Sequence, residues 1–263
     1  MSLIEEEKIN SEKYKLLEEI IEYNNEKVKI VKLTSDNVSR IEAMISTDSD
    51  YKQSQMGEDR IVYKQDGTIK YIGSSRFWIL QLKEIIDTDL KYSSRGFSYE
   101  DIIKNIIIAV DNENSTHLNS DKMGRNVVRD RILSLSRTEL KKLLKDEKKE
   151  YKLLNYIQTP QHKDEKNHFS FATKFCHYVS LIIFEGTEFE DNYSIYDNVL
   201  KKSLCKYVKR YLNLDIKEDS FEKDYKKYIG YIDSIRNKAE ELYGEKISRN
   251  GFDHLLWYYH KGW

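Results

Sequence analysis

Along most of this chain apolar positions recur three and four residues apart, the spacing that lines one face of an α-helix. In SEKYKLLEEIIEY (11–23) Tyr14, Leu17 and Ile21 share a face and Ser11 stands where a cap belongs, so a helix is predicted. SDNVSRIEAMI predicts a second, short helix. The pattern then changes to alternation in RIVYKQDGTIKYIG, with Asp66-Gly67 between the two runs. Both central residues of a type I′ turn need positive φ, so this pair predicts a small β-hairpin near residues 60–72. It is the one β-element the pattern offers.

Helical spacing resumes in SRFWILQLKEIIDT, where Phe77, Trp78 and Leu82 predict a buried helix. Two later stretches begin with capping-box patterns: Ser98-x-x-Asp101 before an isoleucine-rich run, and Ser136-x-x-Glu139 before SRTELKKLLKDEKKEYKLLNYI. The second is read as one helix carrying Leu140, Leu143, Leu144 and Leu154. After a polar loop, TPQHKDEKN, two helices are predicted: FSFATKFCHYVSLIIF and DNVLKKSLCKYVKRYL, joined by EGTEFEDNYSIY. A long helix closed by Gly244 and a short one, RNGFDHLLWYYHK, complete the chain. The expected fold is an all-α bundle of roughly eight to ten helices with a minor hairpin.

Composition supports this. One proline and ten glycines in 263 residues leave little turn chemistry for a β-sandwich, and 34% charged residues describe a solvated surface. No apolar run is long enough to span a bilayer, and MSLIEEEK lacks the apolar core of a signal peptide. Cys176 and Cys205 stand alone, short of the about four thiolates an iron–sulfur cluster needs. A reduced, cytoplasmic protein without cofactor is the expectation. The six histidines show no HExxH or paired spacing, so no metal is expected. Neither a P-loop nor GxGxxG occurs, which leaves nucleotide hydrolysis and dinucleotide chemistry without support. Net charge is −1, yet acids crowd the first sixty residues, and bases gather from Lys122 onward (Arg125, Arg129, Arg131, Arg137). The shift suggests residues 1–120 as an N-terminal region and 121–263 as a second domain, or one continuous body.

Two positions carry chemistry. Lys174 lies at the edge of a stripe formed by Phe171, Phe175, Tyr178 and Ile182. A partly desolvated amine is a candidate nucleophile; the plain alternative is a lysine whose stem crosses apolar surface and whose charge reaches water. Asp197 opens the next helix, where its simplest role is the N-cap. A carboxylate so fixed is also what a developing cation needs beside it.

FSFATKFCHY, then YSIYDNVLKKSL, then FDHLLWYY together resemble the OGG-like branch of the helix-hairpin-helix DNA glycosylases. There, a lysine early in a helix is followed by an aspartate that opens the next one, and Lys174 and Asp197 match those positions. The resemblance spans residues 165–211, and more weakly the last dozen. It departs in two places. KDEKNHFSFATK has no glycine where the family hairpin carries Gly-x-Gly, and SIYD replaces the proline-valine-aspartate form. Asn167, His168 and Ser170 would then make the phosphate-facing turn.

The resemblance implies a helix-hairpin-helix glycosylase fold and a glycosylase/lyase that acts as a monomer on double-stranded DNA with a flipped base, such as an 8-oxopurine. Lys174 would attack C1′ and form a Schiff base, and Asp197 would stabilise the oxocarbenium-like sugar. His168, Ser170, Asn198, Lys201 and Lys202 would contact DNA. Trp78, Phe175, Tyr178 and Trp257 would line the base pocket. The alternative is a non-catalytic helical module, on a degenerate form of the same fold, that binds nucleic acid or protein.

Overall fold

The computed structural model describes residues 15–46, 61–63, 69–114, 116–118, 124–160, 167–221 and 224–261. They contain ten α-helices and two two-stranded antiparallel sheets. The chain divides into two compact units, one built from 1–48 with 197–263 and the other from 49–196. The divisions fall at 48/49 and 196/197 rather than at the expected 120/121.

The first unit begins with strands β1 (Glu18–Tyr23) and β2 (Glu26–Val31), paired in register from Glu18↔Val31 to Tyr23↔Glu26. The helix expected over 11–23 is therefore a strand from residue 18 on, while 11–14 lie outside the described residues. The reason is the turn. Asn24 and Asn25 adopt φ of 54° and 63°, the left-handed pair that asparagine tolerates and a tight hairpin requires. Alternation then decides exposure: Ile21 is buried, whereas Ile20 is 65% exposed. Leu17, expected on the buried face, is exposed.

Helix α1 (Ser35–Ile45) follows, capped by Thr34. Buried Asn37 on α1 stitches the strand ends together: its Oδ1 accepts from Leu17 N at 2.8 Å, and its Nδ2 donates to Leu17 O and Lys32 O. The hairpin rests on α8 (Asn198–Leu212), whose Tyr207 and Tyr211 hydroxyls, one turn apart, accept from Val31 N and Leu33 N. After a 3₁₀ turn (Glu218–Phe221), α9 (Tyr225–Tyr243) and α10 (Arg249–Lys261) close the unit. Gly244 ends α9 at φ 83°, as expected from sequence. The Asp233 carboxylate of α9 grips Arg249 of α10 through both oxygens, at 2.9 and 2.6 Å, and accepts from Arg236 at 3.1 Å.

The second unit opens with β3 (Ile61–Tyr63) and β4 (Ile69–Ile72), the expected hairpin; its Asp66-Gly67 turn lies outside the described residues. Then come α2 (Ser75–Thr88), α3 (Tyr99–Asn114), α4 (Gly124–Leu133), α5 (Arg137–Lys145), α6 (Lys152–Gln158) and α7 (Phe169–Ile183). Both capping boxes form, at Ser98/Asp101 and Ser136/Glu139. The single helix expected over 136–157 is two, α5 and α6. Asp146 breaks it: its φ is 41°, and its carboxylate accepts from Glu150 N and Tyr151 N, which withdraws those groups from a helix ladder. Helix α4 has no counterpart in the sequence expectation. Only two of its aliphatic residues, Val128 and Ile132, are buried, so its apolar signal is thin. It is held from outside, by buried Asp111, which receives Arg125 at 2.7 Å and also Leu118 N and Thr116 Oγ1.

Two measurements check this scaffold. Asp233→Ala leaves two buried arginines without their carboxylate, and should lower the unfolding free energy by about 3 kcal/mol in urea titrations. In α10, His260 Nε2 meets the Tyr207 hydroxyl at 3.1 Å, and burial, with help from Lys206, pushes the imidazole from 6.5 down to about 4. The unfolded chain thus binds a proton that the folded chain refuses. Stability should fall as pH drops from about 6.5 towards 4, by at most about 3 kcal/mol, and His260→Gln should flatten that loss.

Candidate active site

Helix α7 is buried on nearly every side, packed by α2, α3, α5 and α6. A helix apolar all round is a central core helix, and its few polar groups must each find a partner. Thr173 and His177, one turn apart, face the strap 192–196 that follows α7. Tyr196 N donates to Thr173 Oγ1 at 3.2 Å, and His177 Nδ1 donates to Tyr193 O at 2.9 Å, since a carbonyl can only accept. The strap is also tied to α5: Asn192 Nδ2 and the Tyr193 hydroxyl donate to Lys145 O and Leu143 O.

Lys174 is 7% exposed, and its Nζ donates to the carbonyl of Asn114, the last residue of α3, at 3.1 Å. The amine thus meets a main-chain carbonyl instead of extending into water. It sits at the end of a helix, where unpaired carbonyls concentrate negative charge. Three other cations do the same within this unit: Lys83 Nζ meets Ile183 O at 2.7 Å, Arg131 Nη1 meets Ile157 O at 2.7 Å, and Arg137 Nη1 meets Ile85 O at 3.1 Å. The Tyr178 hydroxyl, one turn beyond Lys174, donates to Asn114 Oδ1 at 2.8 Å.

The other expected site residues of this unit are less open. Phe175 is fully buried and stacks on Phe171 with ring centres 6.0 Å apart. Trp78 is buried against Phe77 and Phe97, at 5.0 and 4.7 Å. Both rings are buried core residues. Tyr178 is half-buried. His168 is buried immediately before α7, and half-buried Ser170 lies in its first turn. Asn167, the remaining residue of the expected phosphate-facing turn, is exposed, and its Oδ1 accepts from Phe169 N at 2.8 Å.

Asp197 belongs to the other unit. It is the N-cap of α8, accepting from Val199 N and Leu200 N at 2.9 Å each. Asn198 and Lys202 are exposed and Lys201 half-buried. Trp257, also in this unit, is half-buried on α10, with Lys261 Nζ 4.0 Å from its ring centre. Lys174, Phe175, Tyr178, Trp78, His168 and Ser170 therefore belong to one unit, and Asp197, Asn198, Lys201, Lys202 and Trp257 to the other. Among the described residues no group of His, Cys, Asp or Glu could hold a metal ion, and no helix is long and apolar enough to cross a membrane.

No protein-family model matches this chain, nor does any curated protein or solved structure.

Sequence reasoning missed Asn114, which ends an otherwise ordinary polar run. It also missed the Thr173/His177 pair, whose i, i+4 spacing in an apolar helix was the available signal. Lys174→Met strips a buried carbonyl of its charged donor, and should cost roughly 2 kcal/mol in chemical denaturation, whereas Lys202→Met on the exposed surface should cost less than about 0.5.

Proposed function

We propose that this chain is a DNA glycosylase with lyase activity, with Lys174 as nucleophile and Asp197 as its electrostatic partner. One observation supports it above the others. Thr173, the residue before Lys174, accepts from Tyr196 N, so the turn of α7 that carries the lysine is fastened to the strap. The Asp197 carboxylate is fixed in direction by two backbone N–H groups.

In the proposed reaction a damaged nucleotide, an 8-oxopurine by the sequence resemblance, leaves the stack. The unprotonated Lys174 amine forms a bond to C1′ as the C1′–base bond breaks, and the base departs with the electron pair and takes up a proton. Asp197 steadies the positive charge on the sugar meanwhile. Ring opening gives a Schiff base, β-elimination breaks the 3′ C–O bond, and water then releases the lysine.

A second reading is favoured by the bond from Lys174 to Asn114 O and its three counterparts. In it the lysine is a structural cap, and the chain is a non-catalytic helical binding module.

Borohydride trapping separates the two. Folded wild type should form a covalent adduct with an 8-oxoguanine or abasic duplex, and Lys174→Gln should form none. Asp197→Asn keeps the cap but loses the charge, and should slow base release about a hundredfold. If folded wild type gives no adduct with either duplex, the glycosylase reading falls and the binding module stands.

A further inference from the structure

Among the described residues of the second unit, four cations reach a carbonyl in the last turn of a helix, and the four contacts are not alike. Lys83, Arg131 and Arg137 each meet the carbonyl of an isoleucine, whose side chain has no polar atom. Lys174 alone among these four meets the carbonyl of a residue that is itself tied by its side chain. Asn114 Oδ1 receives the Tyr178 hydroxyl at 2.8 Å, and Asn114 Nδ2 donates back to Val110 O at 3.1 Å on its own helix. The two α7 residues that reach Asn114 are four positions apart, so one turn of α7 is fastened to one residue of α3 at two points.

We propose that Asn114 is the positioning residue for the Lys174 amine: its carbonyl holds Nζ, and its side chain, clasped by Tyr178, fixes where that carbonyl stands. This rests on the glycosylase reading of Lys174. A lysine stem has four rotatable carbons, and an amine left free on it samples many directions. A carbonyl can only accept, so it takes an N–H from Lys174 and, once the ammonium has given up a proton, leaves the nitrogen lone pair for C1′. A cap serving stability alone needs only the carbonyl, as the three isoleucines show. The bond from Tyr178 adds constraint on the residue that presents it.

Asn114→Ala and Tyr178→Phe each remove the clasp and keep the main-chain carbonyl, while Asn114→Asp keeps an acceptor for Tyr178. Reductive methylation with formaldehyde and cyanoborohydride, read by peptide mass spectrometry, reports the amine without any need for activity. In wild type Lys174 should label far more slowly than exposed Lys202. Asn114→Ala and Tyr178→Phe should each speed Lys174 labelling several-fold, and Asn114→Asp should restore the wild-type rate. In single-turnover trapping on an abasic duplex the first two should fall about tenfold with duplex affinity unchanged, and the double variant should fall no further. The proposal is overturned if Lys174 labels as fast as Lys202 in wild type. It is equally overturned if Asn114→Ala lowers only the melting temperature and leaves labelling and trapping as they were. A wild type that labels slowly, is released by Asn114→Ala and yet never traps overturns the glycosylase reading while the grip of Asn114 remains.

Discussion

Every α-helix ends in carbonyls that no helical N–H can reach, and burying such an end is costly unless a donor comes from elsewhere. The second unit meets this constraint with cations from neighbouring helices. Lys83 reaches the end of α7, Lys174 the end of α3, Arg131 the end of α6, and Arg137 a carbonyl in the last turn of α2. Each contact satisfies an acceptor, places positive charge at the negative end of a dipole and fixes one helix against another. Apolar packing alone sets no such register, because a Leu or Ile face can slide.

The first unit solves the matching problem for strand edges. The outer N–H groups of β2 and the following link need acceptors, and Tyr207 and Tyr211 provide them from α8, while Asn37 serves the open ends of both strands. Burial pushes both tyrosines well above their usual range, so they stay neutral donors and acceptors. A two-stranded ribbon is marginal by itself. Here its main chain is bonded into the helical layer.

Elements marked by local chemistry were legible in the sequence: the two capping boxes, the Gly244 stop, the helix at 35–45, and the hairpin at 61–72. What failed was decided by single residues with two meanings. Asn24-Asn25 turned an expected helix into a hairpin, since EEIIEY fits both periods over so short a run. Asp146 divided one expected helix into two by offering its carboxylate to the backbone. Lys174 was visible as an anomaly in an apolar helix, but its partner, a main-chain carbonyl sixty residues earlier, carries no side-chain signature at all. The placement of Asp197 as a cap was readable because an N-cap is local, and the burial of Trp78 was readable from the apolar spacing of its helix.

The first unit is discontinuous: β1, β2 and α1 precede the whole second unit, and α8–α10 follow it. During synthesis the early hairpin therefore emerges long before the tyrosines that receive its N–H groups, with Val31 and Tyr207 separated by 176 positions. The second unit is continuous in sequence, from 49 to 196, and can fold first. The opening segment must wait, as an unsupported ribbon with an exposed Ile20, until the last helices appear. Of the two units, it is the one that a nascent chain leaves open to wrong pairing and to chaperones.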